Sequence, residues 1–419
     1  MFKIFNITSF KINLSWLIFD KFFRASINIF LSIVLARSLG PENFGILNYL
    51  LAFLFLFTSL SSLGMNPILV NQIIKNKKKN NHETIINAYY FRLTFSLFNY
   101  LIFIFLINIL NKNQIYSNYS LIIGLGIIFK SCEILFSYFE AKSLSKYIVI
   151  SQLVGLISSA IIVFYVINNN LDYIYIYYAL ILDIIIVFIL INSFYYLKVN
   201  TFFIRFNLLL LINIIKKSFP VLISSLSIIL YMRIDQIMIN EIVDEYNLGI
   251  YSVSVRYIEI FHFIPKIIMI SFLPILLLSK KYNLDLLNLN SFIFKLSFVL
   301  MIFIFFSSDY LITYIFSDIY HDSIATTKIL SFSIIFVFLG VTNEHWYISK
   351  NLQKYYAIYV FLGALTNALL NYFLISKFGI EGAAYATIIT YFLIIFIFDY
   401  LNKETRSLLK IKFKSLFKI

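Results

Sequence analysis

The chain has 419 residues, of which 61% are hydrophobic and only 13% are charged, and it carries a formal net charge of +14. Soluble globular domains are about half apolar and a quarter charged, so this composition excludes a soluble fold and indicates an integral membrane protein. One cysteine and four scattered histidines exclude a disulfide framework and a multi-cysteine metal site.

Apolar stretches of about 20 residues, long enough to cross the hydrocarbon core of a bilayer, recur along the whole chain. We predict twelve helical spans, and therefore an all-α integral membrane protein. In chain order the spans are 14–36, 46–65, 85–110, 120–139, 147–167, 174–197, 218–239, 250–278, 291–315, 325–348, 355–375 and 380–401. The predicted domains are an N-terminal six-helix bundle (1–200), a cytoplasmic linker (201–217), a C-terminal six-helix bundle (218–401) and a basic cytoplasmic tail (402–419).

Positive charge is distributed unequally over the connections between these spans. One side receives 22 Lys and Arg residues, including Lys77–Lys79, whereas the other receives only Arg37, Lys112 and Lys377. By the positive-inside rule both termini are cytoplasmic. We therefore expect membrane lipid, and not nucleic acid, to be the partner of this charge.

The basic tail also carries apolar side chains at helical spacing among lysines that extend to Lys418. This pattern predicts an interfacial helix against anionic lipid. The apolar residues are Leu409, Phe413, Leu416 and Phe417.

Two pairs of segments indicate an internal repeat. Residues 141–147 (AKSLSKY) resemble 349–355 (SKNLQKY) at an offset of 208, and residues 43–46 (NFGI) resemble 247–250 (NLGI) at an offset of 204. Because each half has an even number of spans, the two halves share one orientation. Parallel repeats of this kind predict two pseudo-symmetric six-helix bundles with a central site between them.

Charged residues lie inside the predicted spans, where each costs about 2.5–3.5 kcal/mol on insertion scales and should face the protein interior or a wet cavity. Three local pairs are predicted from i,i+3 and i,i+4 spacing. They are Asp20 with Arg24, Lys130 with Glu133, and Arg256 with Glu259.

Lys21, Arg92 and Arg233 have no such local carboxylate. Two interpretations stay open for them, contact with an anionic cargo or pairing between helices with Asp183 or Asp235.

Four carboxylates within or beside the spans are candidates for a protonation switch, because burial favours the neutral form of a carboxyl group. They are Glu133, Asp183, Glu259 and Glu344. The chain contains no GxxxxGK[ST] phosphate-binding loop, so ATP hydrolysis is not the expected energy source. We expect no cofactor, and transport driven by a proton or sodium gradient or by consumption of the product outside.

Three motifs resemble bacterial polysaccharide exporters, the O-antigen or Wzx-type flippases. Residues 35–46 (LARSLGPENFGI) resemble the first-loop motif of that family, 233–237 (RIDQI) with 249–252 (GIYS) its span 7 to 8 region, and 379–384 (GIEGAA) its span 11 to 12 turn. The resemblance implies the multidrug/oligosaccharidyl-lipid/polysaccharide exporter superfamily. Such proteins have two six-helix bundles around a central cationic cavity that opens alternately to each side.

The implied cargo is an undecaprenyl-pyrophosphate-linked oligosaccharide, moved from the inner to the outer leaflet of the bacterial cytoplasmic membrane for O-antigen or capsular polysaccharide assembly. A polysaccharide polymerase and a chain-length regulator are further expected partners. We expect six cations to contact the cargo: Lys21, Arg24, Arg92, Lys130, Arg233 and Arg256.

Rival functions keep or change the fold. Two rivals have the same fold: an exporter of another lipid-linked glycan, such as a teichoic-acid-type precursor, and a drug antiporter. The cations inside the predicted spans disfavour an organic cation as the cargo. A membrane polysaccharide polymerase would be expected to have a sizeable outside loop with catalytic groups. The outside cluster found here, Asp318, His321 and Asp322, lies in a short loop and is predicted to be a solvated turn, so we predict that the protein is not an enzyme.

Overall fold

The computed structural model describes residues 7–75, 81–110, 114–199, 206–279 and 281–416. Lys77–Lys79, Lys112, Phe417 and Lys418, named above, lie outside these ranges. Helices form nearly all of the described chain, as expected in lipid, where backbone groups must be satisfied within the segment. The α-helices are α1 (Ile7–Ser62), α2 (Met65–Lys75), α3 (Asn81–Leu110), α4 (Gln114–Phe129), α5 (Phe136–Ala141), α6 (Lys146–Asn168), α7 (Ile174–Val199), α8 (Leu208–Ile242), α9 (Glu245–Glu259), α10 (Phe263–Leu278), α11 (Tyr282–Phe316), α12 (Ser323–Ser331), α13 (Ser333–Ser349), α14 (Gln353–Phe392), α15 (Phe398–Leu401) and α16 (Arg406–Leu416).

Within the described ranges, eight helical segments are long and apolar enough to cross a membrane, or nine if the bent pair α12 and α13 is counted as one span. Two of the eight segments each contain two predicted spans. A break in the helical backbone separates the two spans in each case, at Gly40 (φ 70°) in α1 and at Gly379 (φ 58°) in α14. The predicted span 250–278 corresponds to α9 and α10, joined by a 3₁₀ turn. The prediction of an all-α membrane protein with about twelve transmembrane helices is confirmed.

Contacts divide the chain into two units. The first contains the residues up to Leu31 together with Leu50–Ile229, and the second contains Ser32–Tyr49 and the residues from Leu230 onward. These bounds differ from the sequence-based domains, which place residues 32–49 in the first bundle. In addition, α8 runs without a break through residues 208–217, which the sequence analysis assigned to a linker.

The two NxGI segments contact each other within the second unit. A Cβ atom on Gly45 would lie 1.9 Å from the carbonyl oxygen of Glu245, and one on Gly249 would lie 1.9 Å from the carbonyl oxygen of Pro41. The offset of 204 that relates the two segments also relates the two contacts, since it pairs Gly45 with Gly249 and Pro41 with Glu245. Glycine is required at both positions because the two backbones approach too closely for any side chain.

The repeat at offset 208 is also a repeat of backbone conformation. Ser143 and Asn351 both have positive φ, 56° and 58°. The following amide donates across the helix end in each case, from Leu144 to the Phe139 carbonyl (2.7 Å) and from Leu352 to the Tyr347 carbonyl (2.8 Å). This 6→1 bond with a left-handed residue before it is the Schellman motif, so both helices end in the same way.

Candidate functional site

The first unit contains a cavity of about 230 Å³ whose wall combines charged, amide and aliphatic side chains. Helices α1, α6 and α7 and the 3₁₀ segment between α4 and α5 supply its polar lining. That lining consists of Arg24, Asn28, Lys130, Glu133, Gln152 and Asp183. The cavity therefore brings together four of the residues predicted above from the sequence, Arg24, Lys130, Glu133 and Asp183, from three different predicted spans.

Two cations, Arg24 and Lys130, and two carboxylates, Glu133 and Asp183, line this cavity. Arg24 and Lys130 are close enough to Asp183 to interact with it electrostatically. Arg24 also pairs with Asp20, Nη1 to Oδ2 at 3.8 Å, as its i,i+4 spacing predicted. The Lys130 ammonium lies 5.3 Å from the centroid of the Phe55 ring, a cation–π contact. Because these opposite charges line one cavity, a bound ion could replace one of them as the partner of another.

The Asp183 carboxylate fits against α6 because Gly155 on that helix has no side chain. A Cβ atom on Gly155 would lie 2.4 Å from Asp183 Oδ1. The offset of 208 that relates residues 141–147 to 349–355 also pairs Gly155 with Gly363.

Arg92 is buried, with 1% of its side chain exposed, and its partners are internal. Its Nη2 atom lies 3.1 Å from Glu133 Oε2, and Nη1 donates to Asn66 Oδ1 at 3.4 Å. Asn66 in turn donates to the Glu133 carbonyl at 3.2 Å. Of the two open interpretations, Arg92 thus pairs between helices, although with Glu133 and not with Asp183. The predicted Lys130–Glu133 pair is wrong, because the guanidinium from α3 occupies that carboxylate.

A second cluster of charge lies in the second unit. Glu259 binds two guanidinium groups, with Arg233 Nη2 at 3.3 Å from Oε1 and Arg256 Nη1 at 3.1 Å from Oε2. Arg256 Nη2 also donates to Asn48 Oδ1 at 3.3 Å. The predicted Arg256–Glu259 pair is confirmed, and Arg233 shares the same carboxylate. Two guanidinium groups therefore share one carboxylate, and the buried Asp235 carboxylate lies within electrostatic range of Arg233. The buried Nε2 atom of His262 beside them has no hydrogen-bond partner.

The remaining predicted site residues lie elsewhere. Lys21 is exposed on α1 and is not among the residues that line the cavity, and Glu344 is exposed on α13. Asp318, His321 and Asp322 are exposed. Within the described residues, no group of three or more His, Cys, Asp or Glu side chains is placed to hold a metal ion.

Sequence reasoning missed the amide partners of these arginines, Asn48 and Asn66. A search for charge passes over them because an amide carries none. Their position inside an apolar span, for Asn48, or directly after one, for Asn66, is the available signal, since a polar group in lipid needs a partner as a charge does.

Comparison with known proteins identifies the fold. Residues 11–264 match the family described as polysaccharide biosynthesis proteins. No curated protein matches the chain. The solved structure of the lipid II flippase MurJ, in an inward closed conformation, is similar with a TM-score of 0.77 and 16% identity over 96% of this chain and 91% of that one.

Two transporter structures share the fold at lower similarity. An inward-facing multidrug resistance transporter of the MATE family, in the MOP superfamily, has a TM-score of 0.67 and 12% identity over 94% of this chain and 96% of that one. A MOP superfamily transporter from Pyrococcus furiosus has a TM-score of 0.56 and 12% identity over 95% and 94%. The chain therefore has the fold of MOP superfamily transporters along nearly its whole length.

Proposed function

The chain belongs to the polysaccharide biosynthesis protein family, and on that premise we propose that it is a flippase for lipid-linked oligosaccharides. The cargo is an undecaprenyl-pyrophosphate-linked repeat unit, moved from the inner to the outer leaflet of the bacterial cytoplasmic membrane by alternating access. The product serves O-antigen or capsular polysaccharide assembly, where a polymerase and a chain-length regulator act on it. The observation that carries this proposal is that both units hold buried or half-buried arginines, each paired with a carboxylate that an anionic cargo could replace.

An anionic glycolipid head is a cargo that needs such a protein. Each sugar hydroxyl that enters hydrocarbon without a partner costs several kcal/mol, and the pyrophosphate charges cost more, so unaided flipping is slow. Guanidinium groups present a planar fork of donors that matches phosphate oxygens, which makes arginine well suited to hold the pyrophosphate.

Glu259 acts as a stand-in for the anion in this proposal. Without cargo its two oxygens hold the guanidiniums of Arg233 and Arg256 in place, 3.3 and 3.1 Å away. A pyrophosphate offers more acceptor oxygens and more charge than one carboxylate, so it can displace Glu259 from one or both arginines. The site is then stable when empty, yet ready for an anion.

Asp183 has the corresponding role in the first unit, where it faces Arg24 and Lys130 in the cavity. Binding of a proton or sodium ion by Asp183 would release the two cations to an anionic cargo. This exchange links an ion gradient to the direction of transport. Glu133 is a less suitable coupling group because it already binds Arg92.

The experiment that tests the flippase function is done in cells that lack the protein. The glycan is labelled, and the leaflet in which the undecaprenyl-linked repeat unit accumulates is determined. Accumulation of single units in the inner leaflet, relieved by the intact chain and much less by Arg24→Ala or Arg256→Ala, is the expected result. Lys328→Gln is the control, since Lys328 pairs with Asp309 away from both clusters. Normal translocation with unpolymerised units outside would refute a flippase and favour a polymerase.

A further inference from the structure

The last helix, α16, has two distinct faces. Its buried face carries Leu408, Lys412 and Ser415, spaced i, i+4 and i+7. Its exposed face has the same kind of spacing and includes Arg406, Lys410, Phe413 and Lys414. The sequence analysis predicted that apolar side chains of this helix, Phe413 among them, lie against anionic lipid, and Phe413 is 48% exposed, whereas the charged Lys412 faces the protein.

Lys412 attaches α16 to the second unit. Its ammonium lies 2.5 Å from Asp399 Oδ2 and donates to the carbonyl of Ile395 at 2.5 Å. Ile395 belongs to a π-helical turn, Leu393–Ile397, in which backbone carbonyls lose their usual helical partners. Asp399 also accepts a hydrogen bond from the Tyr347 hydroxyl. Since this pair is neutral as a whole, the effective charge of α16 comes from its exposed face.

The end of the preceding span places α16 at the level of the lipid headgroups. Tyr400 and Leu401 are 60% and 66% exposed, as expected for residues at the edge of a bilayer. The Arg406 side chain turns back onto this edge, where Nε donates to the Tyr400 carbonyl at 2.8 Å and the guanidinium lies 5.0 Å from the Tyr400 ring centroid. The helix begins only five residues after Leu401, too few to carry it away from the membrane surface.

We propose that the exposed face of α16 is a binding surface for the headgroups of anionic phospholipids. Arg406, Lys410 and Lys414 supply three cations, and Phe413 between them enters the interface, a combination typical of helices that lie on anionic membranes. The bound lipids hold the helix from outside while Lys412 and Asp399 hold it from inside. This surface is separate from the cargo clusters, so it does not depend on the proposed transport.

Lipid binding by the purified full-length protein tests this inference. Phosphatidylglycerol or phosphatidylcholine is titrated, and the number of lipids retained is counted by native mass spectrometry. The intact chain should prefer phosphatidylglycerol, and added salt should weaken that preference. Each basic residue near a membrane surface contributes about fivefold, so Arg406→Gln/Lys410→Gln/Lys414→Gln should weaken phosphatidylglycerol binding by at least about tenfold.

Two further variants make the test specific. Lys75→Gln/Lys216→Gln/Lys217→Gln removes the same charge from other exposed positions on the predicted cytoplasmic side and should weaken the preference much less than the tail variant does. Arg406→Lys/Lys410→Arg/Lys414→Arg keeps the charge and should bind as the intact chain does. The proposal is overturned if the two lipids bind alike, if the tail variant keeps its affinity, if both glutamine variants lose affinity equally, or if the charge-preserving variant also loses it.

Discussion

The close crossing at Gly249 gives a prediction whose size can be worked from distances. In Gly249→Ala the new methyl group would lie 1.9 Å from the Pro41 carbonyl oxygen and 2.6 Å from its carbon. Ordinary carbon contacts begin near 3.5 Å, so the two segments must separate by about 1.5 Å. Because the obstructing atoms are backbone, no side-chain rotation relieves the clash. Overpacking of this kind costs about 1–3 kcal/mol, and we expect the upper part of that range.

Two other glycines separate the clash from the other consequences of adding a methyl group. A Cβ on Gly40 meets nothing within 4 Å, but its φ of 70° is unfavourable for alanine, which predicts a cost of about 1–2 kcal/mol. A Cβ on Gly340 would lie 3.6 Å from Ile395 Cδ1, an ordinary contact, so Gly340→Ala should stabilise α13 by about 0.5–1 kcal/mol.

The assay is the thermal midpoint of the purified protein in detergent, followed by size-exclusion chromatography. The expected order of midpoints, from highest to lowest, is Gly340→Ala, the intact chain, Gly40→Ala and Gly249→Ala. Gly45→Ala should match Gly249→Ala, since its Cβ would lie equally close to the Glu245 carbonyl. If Gly249→Ala were as stable as Gly340→Ala, the close approach of the two backbones would be refuted.

Three further predictions concern the charged residues. Lys412→Met leaves Asp399 buried and without its cation, so it should destabilise the protein by about 3–5 kcal/mol. Adding Asp399→Leu should recover most of that loss. Additive losses in a double-mutant cycle of thermal midpoints would contradict this pairing. Arg92→Leu should lower stability more than Arg24→Leu, because Arg92 is 1% exposed and Arg24 is 35% exposed in their ion pairs, and equal midpoints would contradict it. In proteoliposomes, Asp183→Asn should transport labelled lipid-linked oligosaccharide at the same rate with and without a pH or sodium gradient. The intact chain should respond to one of these gradients. A response of the variant equal to that of the intact chain would exclude Asp183 as the coupling group.

The sequence by itself determined the number of spans and the internal repeat. Apolar stretches of span length allow only helices in lipid, because every backbone group must be satisfied within its own segment. Repeated residues such as Gly45 and Gly249 could be matched by offset alone. Pairs at i,i+3 and i,i+4 were equally accessible, since the spacing of a helix puts Asp20 beside Arg24 and Arg256 beside Glu259.

Only the tertiary structure decided which charges meet across helices. Arg92 reaches Glu133 from 41 positions away, and Lys412, one of the lysines of the predicted interfacial helix, turns inward to Asp399, 13 positions away. Local periodicity shows which residues share a face, but it does not show what that face packs against. The partner of a buried ion is determined by distance and by the free-energy cost of leaving the charge unpaired. Both depend on how helices that are remote in sequence pack together.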